Sequence, residues 1–123
     1  MPEICTGERF AVADETAAIG TARASLPVAR ERFLAESLPP RARLIVKHDL
    51  HVGGEHEYVW ATVTSWPEPD LIVGTCMNDA HLDRYIRVGR PVRVDVATVV
   101  DWALWIDGEG IVEGGWTNRI LHD

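Results

Sequence analysis

The sequence predicts an α+β fold in which two N-terminal helices pack on a curved antiparallel sheet of five or six strands, forming a small open barrel. Three observations predict this fold. Helical spacing of apolar residues is confined to the first third of the chain, strand-like runs fill the remainder, and turns containing Gly or Pro separate those runs. The length of 123 residues predicts one domain at 13–123, preceded by an N-terminal extension at 1–12.

The two predicted helices meet at a proline. Asp14 is the expected N-cap of the first helix, which ends at residues 23–24. Because proline is tolerated in the first turn of a helix, Ser25 is expected to cap a second helix that includes Pro27 and ends near Ser37. The expected core residues of the two helices are Ala18, Ile19, Ala22, Val28, Phe33, Leu34 and Leu38.

The remainder of the chain reads as strands. The predicted strands are 44–51, 56–66, 71–77, 92–96, 99–106 and 111–120. Gly53 and Gly54 at the first bend predict a hairpin, and Gly74 is expected to mark a bulge or close packing. Residues 78–88 are polar and irregular, with one short helical turn at most.

Composition and charge exclude several classes of function. A net charge of −7 opposes binding to nucleic acid or to anionic membranes. No apolar run approaches the roughly 20 residues of a membrane span, and the N-terminus lacks the pattern of a signal peptide. Two cysteines are too few for a disulfide framework, so we expect a cytoplasmic protein. No cofactor-binding motif is present, and we expect no cofactor.

The most distinctive stretch lies in the last quarter of the chain. It reads Asp101-Trp102, a spacer, and then Gly114-Gly115-Trp116-Thr117-Asn118-Arg119. This stretch resembles the signature of the YegJ-like bacterial domain of unknown function (DUF2314), which runs Asp-Trp, spacer, Gly-Gly-aromatic-Thr-x-Arg. Further matches across residues 14–121 are Val46-Lys47, the glycine-rich hairpin, Glu57-Tyr58-Val59-Trp60, Gly74 with Asn78, and Gly89.

The resemblance implies a fold but no activity, because the family has no established activity. The chain departs from the family pattern at two positions. Tyr58 stands where histidine is usual, and Arg90 stands where aspartate is usual.

Histidines near the first hairpin suggest two kinds of chemistry. If His51 faces His56 across the turn, His48 faces Val59 and Glu57 lies diagonally near His48 on the same face. A histidine beside a carboxylate can perform general acid–base catalysis. A metal site is not expected, because His48 and His51 point to opposite faces and the facing pair offers only two ligands.

Asp101 interrupts an apolar strand, and a buried carboxylate needs a partner. Arg119 or Lys47 can serve, and we expect a structural Asp101–Arg119 clamp. The alternative is a ligand site built from Asp101, Thr117 and Arg119. The candidate catalytic residues are therefore His48, Glu57, Asp101 and Arg119, and the candidate ligand-binding residues are Lys47, Asn78, Trp116 and Thr117.

Three further features favour structural roles. Cys76 is expected to be a small buried thiol, with a nucleophile activated by His81 as the alternative. The arginines at 84, 87, 90 and 93 are expected to belong to a solvated surface of mixed charge. Trp66 and Trp116 lie beside turns and are expected to rim a cleft or an interface.

Two functional hypotheses follow. The first is a small binding or accessory protein, regulatory or immunity-like, that recognises another protein through an acidic sheet surface bearing Trp residues. The second is a small enzyme without an organic cofactor that uses acid–base catalysis on a small metabolite. The partner is therefore either a protein or a small molecule, with nucleic acid and membrane excluded and a homodimer left open.

Overall fold

One helix and six strands make up the fold of residues 11–118, the part of the chain that the computed structural model describes, with side chains from residue 15 onward. The helix α1 is Ala11–Leu34, and the strands are β1 Arg43–Val52, β2 Glu55–Glu68, β3 Leu71–Cys76, β4 Pro91–Asp95, β5 Val99–Ile106 and β6 Gly110–Gly114. The predicted fold class is wrong, because one continuous helix replaces two and most of the regular structure is strand. The predicted boundary at 12/13 falls inside α1, and residues 1–10 lie outside the described part.

A single apolar stripe explains why the helix continues through Pro27. Ala22, Leu26 and Ala29 are buried along one face of α1, on both sides of the proline. Their burial offsets the roughly 3 kcal/mol that an interior proline costs a helix. The Ser25 hydroxyl donates back to the carbonyl oxygens of the preceding turn, at 2.9 and 3.1 Å, instead of capping a new helix. Asp14, the predicted N-cap, lies within α1.

The continuous helix changes which of its residues are buried. Val28 and Leu34, both predicted core residues, are 56% and 50% exposed. Side-chain bonds join the buried face of α1 to β5. The Trp102 indole donates to Ser25 Oγ at 2.9 Å, and Arg23 donates to the Val99 carbonyl oxygen at 2.6 Å.

The strands form one antiparallel sheet in the order β4-β3-β2-β1-β5-β6, with β4 and β6 at its edges. Gly53 and Gly54 both have positive φ in the turn between β1 and β2, and His51 pairs with His56 as predicted. The prediction of close packing at Gly74 is confirmed, because a Cβ there would meet the Thr62 carbonyl oxygen. Residues 49–58 form the outer part of the hairpin, since β5 pairs with β1 only as far as His48.

Strand alternation gives the sheet two different faces. One face packs against α1, with a core that includes Leu44, Val46, Val63, Ile72, Val94, Trp102 and Leu104. The opposite face carries Lys47, which pairs with Trp60 on β2 and with Asp101 on β5. A polar pair therefore lies at the centre of the sheet.

The final predicted strand is shorter than expected. β6 ends at Gly114, where φ is 78°, and residues 116–118 form a helical turn. Residues 119–120 of the predicted 111–120 strand lie outside the described residues. Within residues 11–118, the structure contains no helix with the length and apolar character needed to cross a membrane.

Candidate functional site

Lys47, Thr117 and Asp101 form a hydrogen-bonded cluster on the sheet face opposite α1. Lys47 Nζ donates to Thr117 Oγ1 at 2.7 Å, and that hydroxyl donates to Asp101 Oδ2 at 2.5 Å. The same carboxylate oxygen accepts the Thr117 backbone N–H at 2.9 Å, while Oδ1 accepts the Trp102 N–H at 2.8 Å. The Asp101 carboxylate is thus bonded to the C-terminal turn and to its own strand.

Burial sets the electrostatics of this cluster. Asp101 is fully buried, and Lys47 and Thr117 are 9% and 5% exposed. Burial lowers the pKa of Lys47 below its ordinary value, and the negative charges of Asp101 and Glu15 only partly oppose that shift. The Lys47 ammonium also lies 5.4 Å from the centre of the Trp60 ring, close enough for a cation–π contact.

The cluster fastens the C-terminal turn to the sheet. The predicted need of Asp101 for a partner is met by Thr117 and by backbone N–H groups, and Lys47 is joined to it through Thr117. Arg119, the predicted clamp, lies outside the described residues. Trp116 packs edge-on against Trp102 with ring centres 5.3 Å apart and is half-buried, and its predicted place at the rim of a cleft or an interface stays a prediction.

His48 and Glu57 lie on the same face, as the predicted register requires, but their side chains have different environments. His48 is 4% exposed, and burial lowers its pKa against the opposing effect of Asp49. The Glu57 carboxylate accepts the backbone N–H groups of Leu82 and His81 at 2.8–3.0 Å, which lowers its pKa. The carboxylate is therefore committed to the loop that follows β3.

Asn78 also fixes this loop, which comprises residues 77–90. Its side-chain oxygen accepts the Trp60 backbone N–H at 2.7 Å. Within the loop, Asp79 accepts the Val88 N–H at 3.0 Å and Asp83 accepts the Tyr85 N–H at 2.9 Å. Sequence reasoning missed these anchoring roles, although aspartate and asparagine between strands are the usual signal for such side-chain-to-backbone bonds.

The anchored loop exposes two large apolar side chains. Tyr85 is 62% exposed and Val88 is 63% exposed. Arg84 donates to the Tyr85 hydroxyl at 3.0 Å, with its guanidinium carbon 5.1 Å from the ring centre. Arg87 turns inward and donates to two loop carbonyl oxygens, so the arginines of this region do not form one stripe.

The hairpin tip beside this loop carries a histidine pair. The rings of His51 and His56 stack with centres 4.2 Å apart, and His56 contacts Asp49 at 2.7 Å. Within residues 11–118, no three His, Cys, Asp or Glu side chains form a group that could hold a metal ion. We call residues 49–58 and 77–90 together the hairpin–loop end.

Two other predicted residues are buried in the core. Cys76 is 3% exposed and burial raises the pKa of its thiol, which disfavours the thiolate that a nucleophile requires. Trp66, predicted to rim a cleft or an interface, is 3% exposed and packs in the core beneath α1, and it also lines a cleft between α1 and β2.

Comparison with known proteins gives no match to this chain among protein-family models, curated proteins or solved structures. The resemblance to the YegJ-like family therefore stays a prediction.

Proposed function

We propose that this protein is a small accessory protein that binds an acidic surface of another protein through the loop 77–90. The observation that carries the proposal is the loop 77–90, which displays Tyr85 and Val88 to solvent while side chains from β2 and from the loop hold its backbone. A regulatory or immunity-like role in the cytoplasm is part of the same proposal.

The length and order of the loop support a binding role. Loops longer than about 12–15 residues without regular structure are uncommon, and the ordered ones are usually functional; the loop 77–90 reaches that limit. Near the start of the loop, Glu57 on β2 accepts the His81 N–H, and the side-chain oxygen of Asn78 in the loop accepts the Trp60 N–H of β2. Where the loop ends, the Gly89 N–H donates to the Cys76 carbonyl oxygen at 2.9 Å. A loop that is already fixed loses less conformational entropy when it binds a partner.

Charge and composition support an acidic partner. The loop 77–90 contains three arginines and two aspartates, so it is slightly basic in a chain whose net charge is −7, whereas the hairpin tip 49–58 beside it carries three carboxylates and no Lys or Arg. The proposed contact with an acidic surface is therefore made by the loop and not by the hairpin tip. Tyrosine and arginine are enriched among the residues that dominate protein–protein binding energy. The hydrogen-bonded Arg84–Tyr85 pair presents both chemistries at one exposed position.

The enzyme hypothesis has less support from the described contacts. Glu57 is bonded to backbone N–H groups, and His48 and Asp101 are buried on opposite faces of the sheet. These groups do not converge on a common reacting atom, as acid–base catalysis requires.

The proposal is tested by quantitative capture of partners from the organism of origin, comparing wild type with Tyr85→Ala and Val28→Ala. Both positions are exposed apolar residues, and Val28 lies on α1. We expect one acidic protein at defined stoichiometry with wild type and Val28→Ala, and at least about tenfold less with Tyr85→Ala, as for a residue that dominates binding. Raising the salt concentration should also reduce capture.

Two results would overturn the proposal. One is the absence of any stoichiometric protein partner for wild type. The other is a partner that Tyr85→Ala and wild type retain equally, since the loop would then lie outside the interface.

A further inference from the structure

A cleft between α1 and the far end of β2 has the size of a small-molecule site. Its volume is about 310 Å³, within the range of about 300–1,000 Å³ that is usual for ligand pockets. Trp66 lines it, near the opposite end of β2 from the hairpin tip. The cleft is therefore separate from the hairpin–loop end, and its role is independent of the proposed protein partner.

The floor of the cleft is apolar. Leu26 and Pro27 contribute from α1, Trp66 from β2, and Val96 from the turn that precedes β5. Trp66 and Leu26 are only 3% and 4% exposed, so Pro27 and Val96 present most of the accessible apolar surface of the cleft. Such a surface favours a flat apolar ligand, which would exclude water from it.

Arg30 supplies a positive charge whose hydrogen bonds are incomplete. Its guanidinium carbon lies 5.9 Å from the centre of the Trp66 ring, and Nη2 donates to the Trp66 carbonyl oxygen at a long 3.4 Å. Its Nε is shielded from solvent and has no hydrogen-bond partner in the described structure. Reorienting this guanidinium toward an incoming anion would therefore break one long hydrogen bond and the contact with the Trp66 ring.

Arg23 and Glu31 narrow the choice of ligand. Arg23 also lines the cleft, but its Nη1 donates to the carbonyl oxygens of Val96 and Val99, the latter at 2.6 Å. Arg30 is thus the cation better placed to meet a ligand. Glu31 lines the same cleft, and its negative charge opposes a dianion such as a phosphate monoester.

We propose that this cleft binds a small aromatic monocarboxylate, with the ring against Pro27 and Val96 and the carboxylate on Arg30. Planar guanidinium and carboxylate groups form paired charge-assisted hydrogen bonds. Both sets of contacts are needed, because the cleft offers one usable cation and a largely apolar wall.

The probe is 2-naphthoate, titrated into the full-length protein by isothermal titration calorimetry, with 2-naphthylmethanol as the uncharged analogue. We expect saturable 1:1 binding of 2-naphthoate, and binding of the alcohol that is about tenfold weaker or more. Arg30→Gln should weaken 2-naphthoate binding to a similar extent. Arg32→Gln is the matched control, since Arg32 lies on the same helix but pairs with Glu113.

A second variant keeps the test decisive if Arg30→Gln folds poorly. Glu31→Gln removes the opposing charge, and we expect it to tighten 2-naphthoate binding several-fold. The proposal is overturned if wild type shows no saturable binding at millimolar probe, if the alcohol binds as tightly as the acid, or if folded Arg30→Gln binds like wild type.

Discussion

Two carboxylates fix two chain segments to the same sheet, with different consequences. Asp101 is fully buried and holds the C-terminal turn through the N–H and hydroxyl of Thr117. Glu57 lies near the surface and holds the loop 77–90 through the N–H groups of His81 and Leu82. The C-terminal turn packs Trp116 against the core, whereas the loop displays Tyr85 to solvent.

The comparison shows that burial, more than the type of bond, decides what such an anchor contributes. When a buried carboxylate is removed, the N–H and O–H groups that donated to it stay buried without a hydrogen-bond partner or water. Its removal therefore lowers the stability of the entire fold. When a solvated carboxylate is removed, water can accept the hydrogen bonds in its place, so only the local segment is loosened. We therefore assign Asp101 to stability and Glu57 to the shape of the hairpin–loop end.

The largest effect is expected for Asp101→Asn. The amide of asparagine lacks the negative charge that faces Thr117 and Lys47. Its NH₂ group would also stand where Oδ2 of Asp101 now accepts both the N–H and the hydroxyl of Thr117. We therefore expect a loss of about 3–5 kcal/mol in the free energy of unfolding. Urea denaturation measures it. Glu113→Gln is the control, because the exposed Arg32–Glu113 pair should contribute about 0–1 kcal/mol. Equal losses in the two variants would refute the role of burial.

A smaller effect is expected for Gly114→Ala, which disturbs the backbone that leads into the C-terminal turn. A Cβ at this position would lie 2.5 Å from the Trp102 carbonyl oxygen, and φ is 78°. Gly108→Ala is the matched control, since its φ is 88° but nothing lies within 4 Å. Both variants should lose about 1–2 kcal/mol from the positive φ, and Gly114→Ala about 1–3 kcal/mol more from the clash. Similar unfolding free energies for the two would show that the turn adjusts freely.

His48 gives a pH-dependent test of the buried side of the comparison. The pKa of His48 in the folded state lies below the ordinary value of 6.5, which applies to the unfolded chain. At pH values between the two, the unfolded chain therefore binds more protons than the folded one. Stability should therefore fall as pH drops below about 6.5, by at most about 1.4 kcal/mol per pH unit from this residue. Urea denaturation from pH 7.5 to 5 should show a flatter profile for His48→Gln. The exposed His56→Gln serves as the control, and a profile parallel to wild type for His48→Gln would contradict the assignment.

The smallest global effect is expected for Glu57→Gln. The variant weakens the bonds to two loop amides, so hydrogen exchange should accelerate at His81 and Leu82 while the Thr117 amide stays protected. Because those bonds lower the pKa of Glu57, its anchoring should persist above the ordinary value of 4.5 and be lost as pH falls through the folded-state pKa. A shift in urea midpoint as large as that of Asp101→Asn would contradict the surface role.

The sequence predicted the strands better than the helices. Gly53 and Gly54 specify a tight hairpin, and alternating apolar residues then fix which side chains face the core, so the His51–His56 register followed directly. Pro27 misled the helix prediction, because a local rule for helix starts ignores the continuous apolar face that tertiary packing can bury. The fold class was wrong for that reason.

The candidate site was predictable in part. Asp101 in an apolar strand required a partner, and the motif that contains Thr117 lay close enough to supply one. The role of Glu57 was not predictable, because its partners are backbone N–H groups of a loop that is distant in sequence and has no periodic pattern. Such bonds depend on the folded path of the chain more than on residue type.

The most direct test of the division between the two regions is photocrosslinking in the organism of origin, with a benzophenone side chain placed at residue 85 or at residue 112. Both native side chains are exposed, at 62% and 44%, but Val112 lies on the edge strand β6, next to the C-terminal turn. We expect a discrete adduct with one acidic protein from position 85 and none from position 112. An adduct from position 112 alone would place the partner at the C-terminal region and refute the binding role of the loop 77–90.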